Sequence, residues 1–473
     1  MTQEEPIVAE TKEITQEEKD QQTVEAIEKA LQLVVKTVQT FDQRYIFKTL
    51  RDLVSVRPQL NASVLSKLIN TYLGDAYKSY LIEYIGGMAE DVELKNEVLP
   101  EVTFAIHWLV QLYLLDQNEL KKLDELNTKH IITLTKSQNR RSLDLINVKI
   151  WFYIARTKEL LGDLISIRPE LFLSLRTASL KHDNETCGVL ITLILRNYLL
   201  LHDYTQASNF IEKVEFPKNI STSLEARYFF YLAKINSIQL NYSDAHEFVI
   251  TAIRKAPQTQ NAIGFLQVSY KLSVLIELLT GEIPELSFFK KPGFEKCLVP
   301  YREITKAVKL GDLKLFNETL AKYREHFVKD DNLTLVTRLR SNVIKTGIRI
   351  ISLSYTKISL KDICIKLHLD NESSAEYIVS KAIRDGVIDA KINNQKGYVE
   401  SNEVLNVYST NEPQVQLDQR IKFVNQLHND SVRAMRYPPS VNRVHDSLGG
   451  EADMEDEAEL INALQDEFDG DFF

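Results

Sequence analysis

Cysteine is scarce, glycine and proline are thin, and the signatures of catalysis are missing. Cys187, Cys297 and Cys364 are the only cysteines in 473 residues, and they form no CxxC pair or Cys/His cluster. That spacing excludes a disulfide framework and a cysteine-ligated zinc, and it suits a reducing compartment. Fifteen glycines and twelve prolines amount to roughly half of average usage. Such thrift leaves no glycine-rich phosphate loop and points to long helices with short connections. GxxxxGK[ST], GxSxG, HExxH and H-x-H are all absent from the sequence, so neither a nucleotide site, a serine-hydrolase elbow nor a histidine metal site is expected. His107 sits in the apolar stretch FAIHWLVQLY and is expected to be a core histidine with its ring satisfied. Acidic pairs such as Asp330-Asp331 and Glu17-Glu18 are expected in solvated turns or arms, where carboxylates make poor general acids near neutrality. No catalytic, cofactor-binding or metal-ligating residue is therefore expected.

Long apolar runs are lacking too. The most apolar stretch, Val189–Leu201, carries Arg196 and Asn197 and is too short to span a bilayer. The N-terminal residues MTQEEPIVAETKEITQEEKDQQ are polar and acidic, the reverse of a secretory leader. A soluble intracellular chain is the expectation.

Charge is unevenly spread. The formal total is −9, with seven acids and two bases in residues 1–22 and eleven acids and no base in residues 446–473. Removing −5 and −11 from −9 leaves +7 for residues 23–445, so the body is mildly basic and the acidity belongs to the ends. Residues 1–22 read as a disordered acidic arm and 438–473 as an acidic tail. Within the tail, Leu460, Ile461, Leu464 and Phe468 interleave with the acids; a solvated tail is the first reading, weak docking as an amphipathic segment the second.

Between the ends, apolar residues recur at helical spacing, beginning with Val24, Ile27, Leu31, Val34, Val35 and Val38. Gly162-Asp163-Leu164, His202-Asp203-Tyr204, Asn241-Tyr242 and Gly311-Asp312-Leu313 each separate two such stripes, at intervals of 40, 38 and 71 residues. These are the intervals of helix–turn–helix repeats, in which each pair must stack on a neighbour. One unit fits the tetratricopeptide pattern, through Phe229, Leu232, Ala233, Ala245, Val249, Ala252 and Pro257, with Asn236 departing where an aromatic is usual.

The periodicity then changes. Asp312 caps a helix bearing Phe316, Leu320, Tyr323 and Phe327, and another runs from about Leu333 to Leu353. Thr356–Ser359 reads as a strand, and Ser359 with Asp362 as a capping pair. A helix bearing Ala375, Ile378, Val379, Ala382 and Ile383 stops at Gly386. Ile388, Ala390 and Ile392 alternate with polar residues, Asn393–Gly397 supply a turn, and Tyr398–Glu400 return. Strand, helix, helix, strand, wing, strand is the order of a winged helix.

A helical-repeat array running straight into a winged helix resembles the PCI module of proteasome-lid, signalosome and initiation-factor subunits. The segments YLAKINSIQLNYSDAHEFVITAIRKAPQ, VPYREITKAVKLGDL, RLRSNVIKTGIR, SLKDI and AMRYPP (434–439) resemble the non-ATPase subunits of the proteasome lid most closely. The fold expected is all-α: an irregular, TPR-like helix-hairpin solenoid, a winged-helix PCI module and a C-terminal helix. Its expected divisions are helical repeats over 23–225, a PCI domain over 226–405 (helical part 226–353, winged helix 354–405), and a helix over 412–437.

The last helix carries a narrow apolar seam of Leu417, Ile421, Val424, Leu427 and Ala434, flanked by Arg420, Lys422 and Arg433. It either folds back on the array or packs against a partner's helix; the resemblance implies the second, since lid subunits gather their C-terminal helices in a shared bundle. The resemblance also implies winged-helix strands as contacts with a neighbouring PCI subunit, through Val387, Ile388, Ala390, Ile392, Tyr398 and Val399; internal sheet pairing is their alternative role. It implies, further, hetero-oligomeric assembly with other lid subunits, including a small acidic disordered one. Winged helices also bind DNA, but the second helix here offers Glu372, Glu376 and Asp385 against Lys381 and Arg384, and its wing only Lys391 and Lys396. That composition gives little counterion release. A nucleic-acid-binding protein, or a PCI subunit of a signalosome or initiation factor, is the alternative.

Overall fold

The computed structural model describes residues 16–436 except 41, 43, 88–98, 139, 219, 370 and 403–406. Most of the acidic arm and all of the tail from 437 onwards lie outside the described residues. Helix Gln16–Thr40 nevertheless starts inside the expected arm. Asp20 accepts hydrogen bonds from Asn61 Nδ2 (3.2 Å) and Ser63 Oγ (2.9 Å), so tertiary contacts carry the helix back beyond the apolar stripe.

Helical hairpins follow one another through the first part of the chain. Each punctuation signal falls in a turn between paired helices: Asp144–Leu161 with Arg168–Lys181, Asn184–Leu200 with Tyr204–Lys213, and Thr222–Ile238 with Tyr242–Lys255. The tetratricopeptide-like pair closes on small residues: Ala233, Ala245, Val249 and Ala252 are all completely buried. By contacts the described residues fall into two compact units, up to Ser269 and from Tyr270, a division inside helix Ile263–Thr280; the boundary expected at 225/226 lies likewise within a helix, Thr222–Ile238.

Helix Pro100–Asp116 lies at the heart of the first unit, with a polar stripe of Thr103, His107 and Gln111 at the spacing of successive turns. His107 is fully buried with both ring nitrogens engaged: Nε2 is 2.6 Å from the Tyr80 hydroxyl and Nδ1 2.6 Å from the Thr103 carbonyl. Gln111 donates to Asn127 Oδ1 at 2.7 Å, where a π-helical turn, Asn127–Ile131, begins. His130 in that turn stacks on Tyr80 at 3.9 Å.

Residues 260–280 pass a length-and-hydropathy test for a membrane span that Val189–Leu201 fails, yet half of that stretch is buried inside the protein. Its polar residues are accommodated as in a soluble core: Ser269 and Ser273 are buried, and Lys271 pairs with Asp330 at 2.8 Å.

In the second unit, Asp312 caps helix Leu313–Lys322 through the Lys314 and Leu315 amides. That helix ends before Tyr323, and Phe327 belongs to a separate turn, Arg324–Lys329, not to one continuous helix. The Asp330 carboxylate is not solvated as expected: it accepts from Lys271 and from the Tyr301 hydroxyl, both at 2.8 Å. Helix Leu333–Ser354 crosses the preceding hairpin at two glycines. A Cβ on Gly311 (φ +68°) would lie 2.5 Å from the Gly347 nitrogen, and one on Gly347 would lie 2.8 Å from the Gly311 oxygen. No side chain fits between these backbones.

The winged helix follows: β1 (Lys357–Ser359), helix Leu360–Leu367, helix Glu372–Arg384, β2 (Ala390–Asn393) and β3 (Tyr398–Ser401). Ser359 caps the first helix, accepting from the Asp362 amide at 3.1 Å. The sheet is antiparallel in the order β1-β3-β2, with Ile358 opposite Val399 and Ile392 opposite the same residue on the other side. Ile363, Leu367, Ala375, Val379 and Ala382 pack beneath it.

Gly347→Ala is expected to cost about 1–3 kcal/mol by overpacking. Gly264→Ala, at an exposed helical site with nothing within 4 Å, is expected to gain about 0.5–1 kcal/mol; urea unfolding of the two variants reads the contrast.

A pH series tests the buried polar groups. Burial holds His107 at a pKa of about 4, below its ordinary 6.5, so its contribution to stability is complete above pH 6.5 and is lost as pH falls towards 4. Asp144, desolvated and facing Asp183, is pushed up to about 7, so stability falls as pH rises from 4 to 7. Being only partly buried, it is the more screened of the two. Between pH 4.5 and 6.5, His107→Gln should flatten the rise of Tm with pH, and Asp144→Asn should steepen it.

Candidate interaction surfaces

Two predicted surfaces can be placed in the second unit. Helix Glu412–Arg436 has no buried residue. Leu417, Ile421, Val424 and Leu427 are each between 55 and 59 % exposed, so the seam is left open among the described residues. Phe423 and Met435 are exposed as well and widen it. At 100° per residue these six side chains with Ala434 occupy an arc of about 160°. Such an arc is broader than the seam of a two-stranded coiled coil and suits a helix with more than one neighbour. Phe423 lies off the strict line through Leu417, Ile421 and Val424, which is why spacing alone passes it over.

The winged-helix candidates separate. Tyr398 and Val399 lie on β3, the central strand, which pairs with β1 on one side and β2 on the other. They offer no open edge, and Val399 is buried in the core. Ile388 and Ala390 also point into that core, with Val387 and Ile392 packed partly against it. β2 keeps its outer edge, with Lys391 exposed on it. What remains for a partner along 390–393 is therefore backbone rather than apolar side chain. β1 is a second open edge that the sequence pattern did not single out. Its position follows only once β3 is known to pair between the other two strands.

Three of the seven lysines and arginines between residues 354 and 405 are in ion pairs with described residues, and Lys345 of the preceding helix joins one of these pairs. Lys357 meets Glu400 at 3.0 Å, Lys345 meets Asp385 at 3.1 Å, Arg384 meets Asp385 at 3.3 Å and Lys361 meets Glu372 at 3.8 Å. Lys357 is held up from its ordinary pKa by hydrogen bonding to Glu400, and Asp385 is held down by Lys345. Charge of both signs thus lies along the surface that a DNA reader would keep basic.

In the first unit, an arginine-rich hollow of about 540 Å³ is lined by Arg57, Arg156, Arg196 and Arg227 with Phe230 and Tyr231. Its charges are partly answered: Arg57 pairs with Asp116 at 2.6 Å, and Arg196 and Arg156 meet Glu159 at 2.7 and 2.8 Å. Among the described residues no group of three or more His, Cys, Asp or Glu is arranged to hold a metal. Cys187 and Cys364 are buried, with thiol pKa values raised by desolvation, the opposite of an activated nucleophile.

Comparison with known proteins covers almost the whole chain. Residues 19–305 match the family described as PSMD3-like, N-terminal TPR repeats, and residues 320–403 match the PCI domain. Residues 406–471 match the family for the C-terminal part of the proteasome regulatory subunit. The chain is 48% identical over 458 residues to the 26S proteasome regulatory subunit RPN3 of Saccharomyces cerevisiae, covering 89% of this chain and 87% of that one. It is 42% identical to the probable 26S proteasome regulatory subunit rpn3 of Schizosaccharomyces pombe, covering 91% and 88%. Against the probable 26S proteasome non-ATPase regulatory subunit 3 of Drosophila melanogaster it is 40% identical, covering 91% and 89%. With three family models matched in succession along the chain and these relatives matched over most of their own length, the chain belongs to the family of 26S proteasome non-ATPase regulatory subunit 3.

Proposed function

We propose that this protein is a non-catalytic structural subunit of the lid of the 26S proteasome regulatory particle, acting in ubiquitin-dependent protein degradation. The observation that carries the reading is helix Glu412–Arg436, whose apolar arc finds no cover among the described residues. Burying a half-exposed Leu, Ile, Val or Phe contributes about 1 kcal/mol, so several of them together hold the helix in a bundle with the C-terminal helices of other lid subunits. The outer edge of β2 pairs with a neighbouring PCI subunit by backbone hydrogen bonding. The basic body, +7 over residues 23–445, favours association with a small acidic disordered lid subunit. The mechanism is positional: the chain keeps its neighbours in register and needs neither cofactor nor metal. Neither nucleic acid nor membrane is a partner in this reading, and the protein works in the cytoplasm and nucleus.

Because the seam contributes nothing to the fold of the isolated chain, Ile421→Asp with Val424→Asp should leave its Tm within about 1 °C of wild type. The same variant should fail to co-purify with a complete lid, as should the chain truncated before Glu412; native mass spectrometry of the purified complex reads both. Full-yield incorporation of either would sink the bundle. A free monomer that retards duplex DNA in a salt-dependent manner would instead favour a winged-helix nucleic-acid binder.

A further inference from the structure

A groove of about 750 Å³ in the first unit is used by none of the surfaces above. It is bordered by helices Arg168–Lys181 and Asn184–Leu200, by the end of helix Tyr204–Lys213, and by the stretch that follows. Its floor is apolar. Phe172 and Phe210 meet edge to face at 5.6 Å, Phe216 is stacked on Tyr228 at 4.0 Å, and Leu175, Cys187 and Ile191 complete the lining. Its rim is basic: Arg176, Lys213 and Lys218 are exposed, with Glu215 the acid among the lining residues. None of those three cations makes an ion pair with a described residue. This distinguishes the groove from the arginine-rich hollow, where Arg57 is paired with Asp116 and both Arg156 and Arg196 with Glu159.

We infer that this groove seats the chain's own acidic C-terminal segment, residues 446–473. The chemistry matches on both counts. That segment has eleven carboxylates and no base, and Leu460, Ile461, Leu464 and Phe468 recur at i, i+1, i+4 and i+8, the spacing of one helical face. An apolar face with acids beside it is the complement of an aromatic floor with lysines and arginine on its rim. Residues 437–459 provide a tether of up to about 75 Å at roughly 3.3 Å per residue. Covalent linkage replaces a bimolecular encounter by an effective concentration in the millimolar range, so that weak contacts suffice. The unassembled subunit then keeps this basic-rimmed groove occupied by its own tail.

Zero-length carbodiimide cross-linking of the full chain tests this directly, with an equimolar mixture of unlabelled and ¹⁵N-labelled protein and peptide mass spectrometry as the readout. Cross-links from tail carboxylates are expected to concentrate on Lys213 and Lys218, within light–light and heavy–heavy pairs. They should fall roughly fivefold when Leu464→Ser and Phe468→Ser remove the apolar anchors while leaving every charge. They should fall again in about 0.5 M salt, where screening shortens the reach of the charges. Both replacements lie in the tail, so the folded body is untouched. Tail cross-links scattered evenly over surface lysines, or yields unchanged by the anchor replacements, would overturn the assignment. Mixed light–heavy pairs at Lys213 and Lys218 would overturn docking within one chain in favour of an acidic segment from another.

Discussion

A helical hairpin has more apolar surface than its own two helices can cover, and most of the structure follows from that shortfall. Each pair in the first unit lays its uncovered face on the next, with small residues such as Ala233 and Ala245 bringing the helices close. The same need explains the Gly311–Gly347 contact, where a turn and a helix meet backbone to backbone. Stacking must end somewhere. It ends in a winged helix whose small core is closed, and in helix Glu412–Arg436, which covers nothing.

Much of this was legible in sequence, for identifiable reasons. Hairpin turns announced themselves because a helix stop and a helix cap must occur together, as in Gly311-Asp312-Leu313. The Ser359–Asp362 cap and the alternation of Ile388, Ala390 and Ile392 are local signals that survive any tertiary context. What escaped depends on residues distant in sequence. Asp330 reads as a solvated turn until Lys271 and Tyr301 are brought to it. Helix Gln16–Thr40 begins among polar residues because Asn61 and Ser63 reach Asp20. Tyr398 and Val399 alternate as an edge strand would, and only the pairing order shows that both sides of β3 are taken. The basic rim joins Lys213 and Lys218 of one short stretch to Arg176, 37 residues earlier, so no single window of sequence displays the whole of it.

Electrostatics divides the protein differently from packing. Around the winged helix, opposite charges are interspersed and paired at the surface, an arrangement that contributes little to stability but makes the module indifferent to a uniformly charged partner. Lys391 on the open edge of β2 has another use. A charged side chain on an unpaired strand discourages indiscriminate edge-to-edge association while leaving the backbone available to a neighbour that meets that charge correctly. Specificity in such a scaffold rests on what it rejects as well as on what it binds.

The uncovered arc of helix Glu412–Arg436 also bears on supply. In the proposed bundle an incorporated copy would hide these half-dozen apolar side chains, whereas a copy made in excess of its neighbours displays them for as long as it stays alone. The surplus molecule is thus told apart by geometry alone, with no covalent mark. Matching the number of subunits to the number of complexes becomes a property written into one helix.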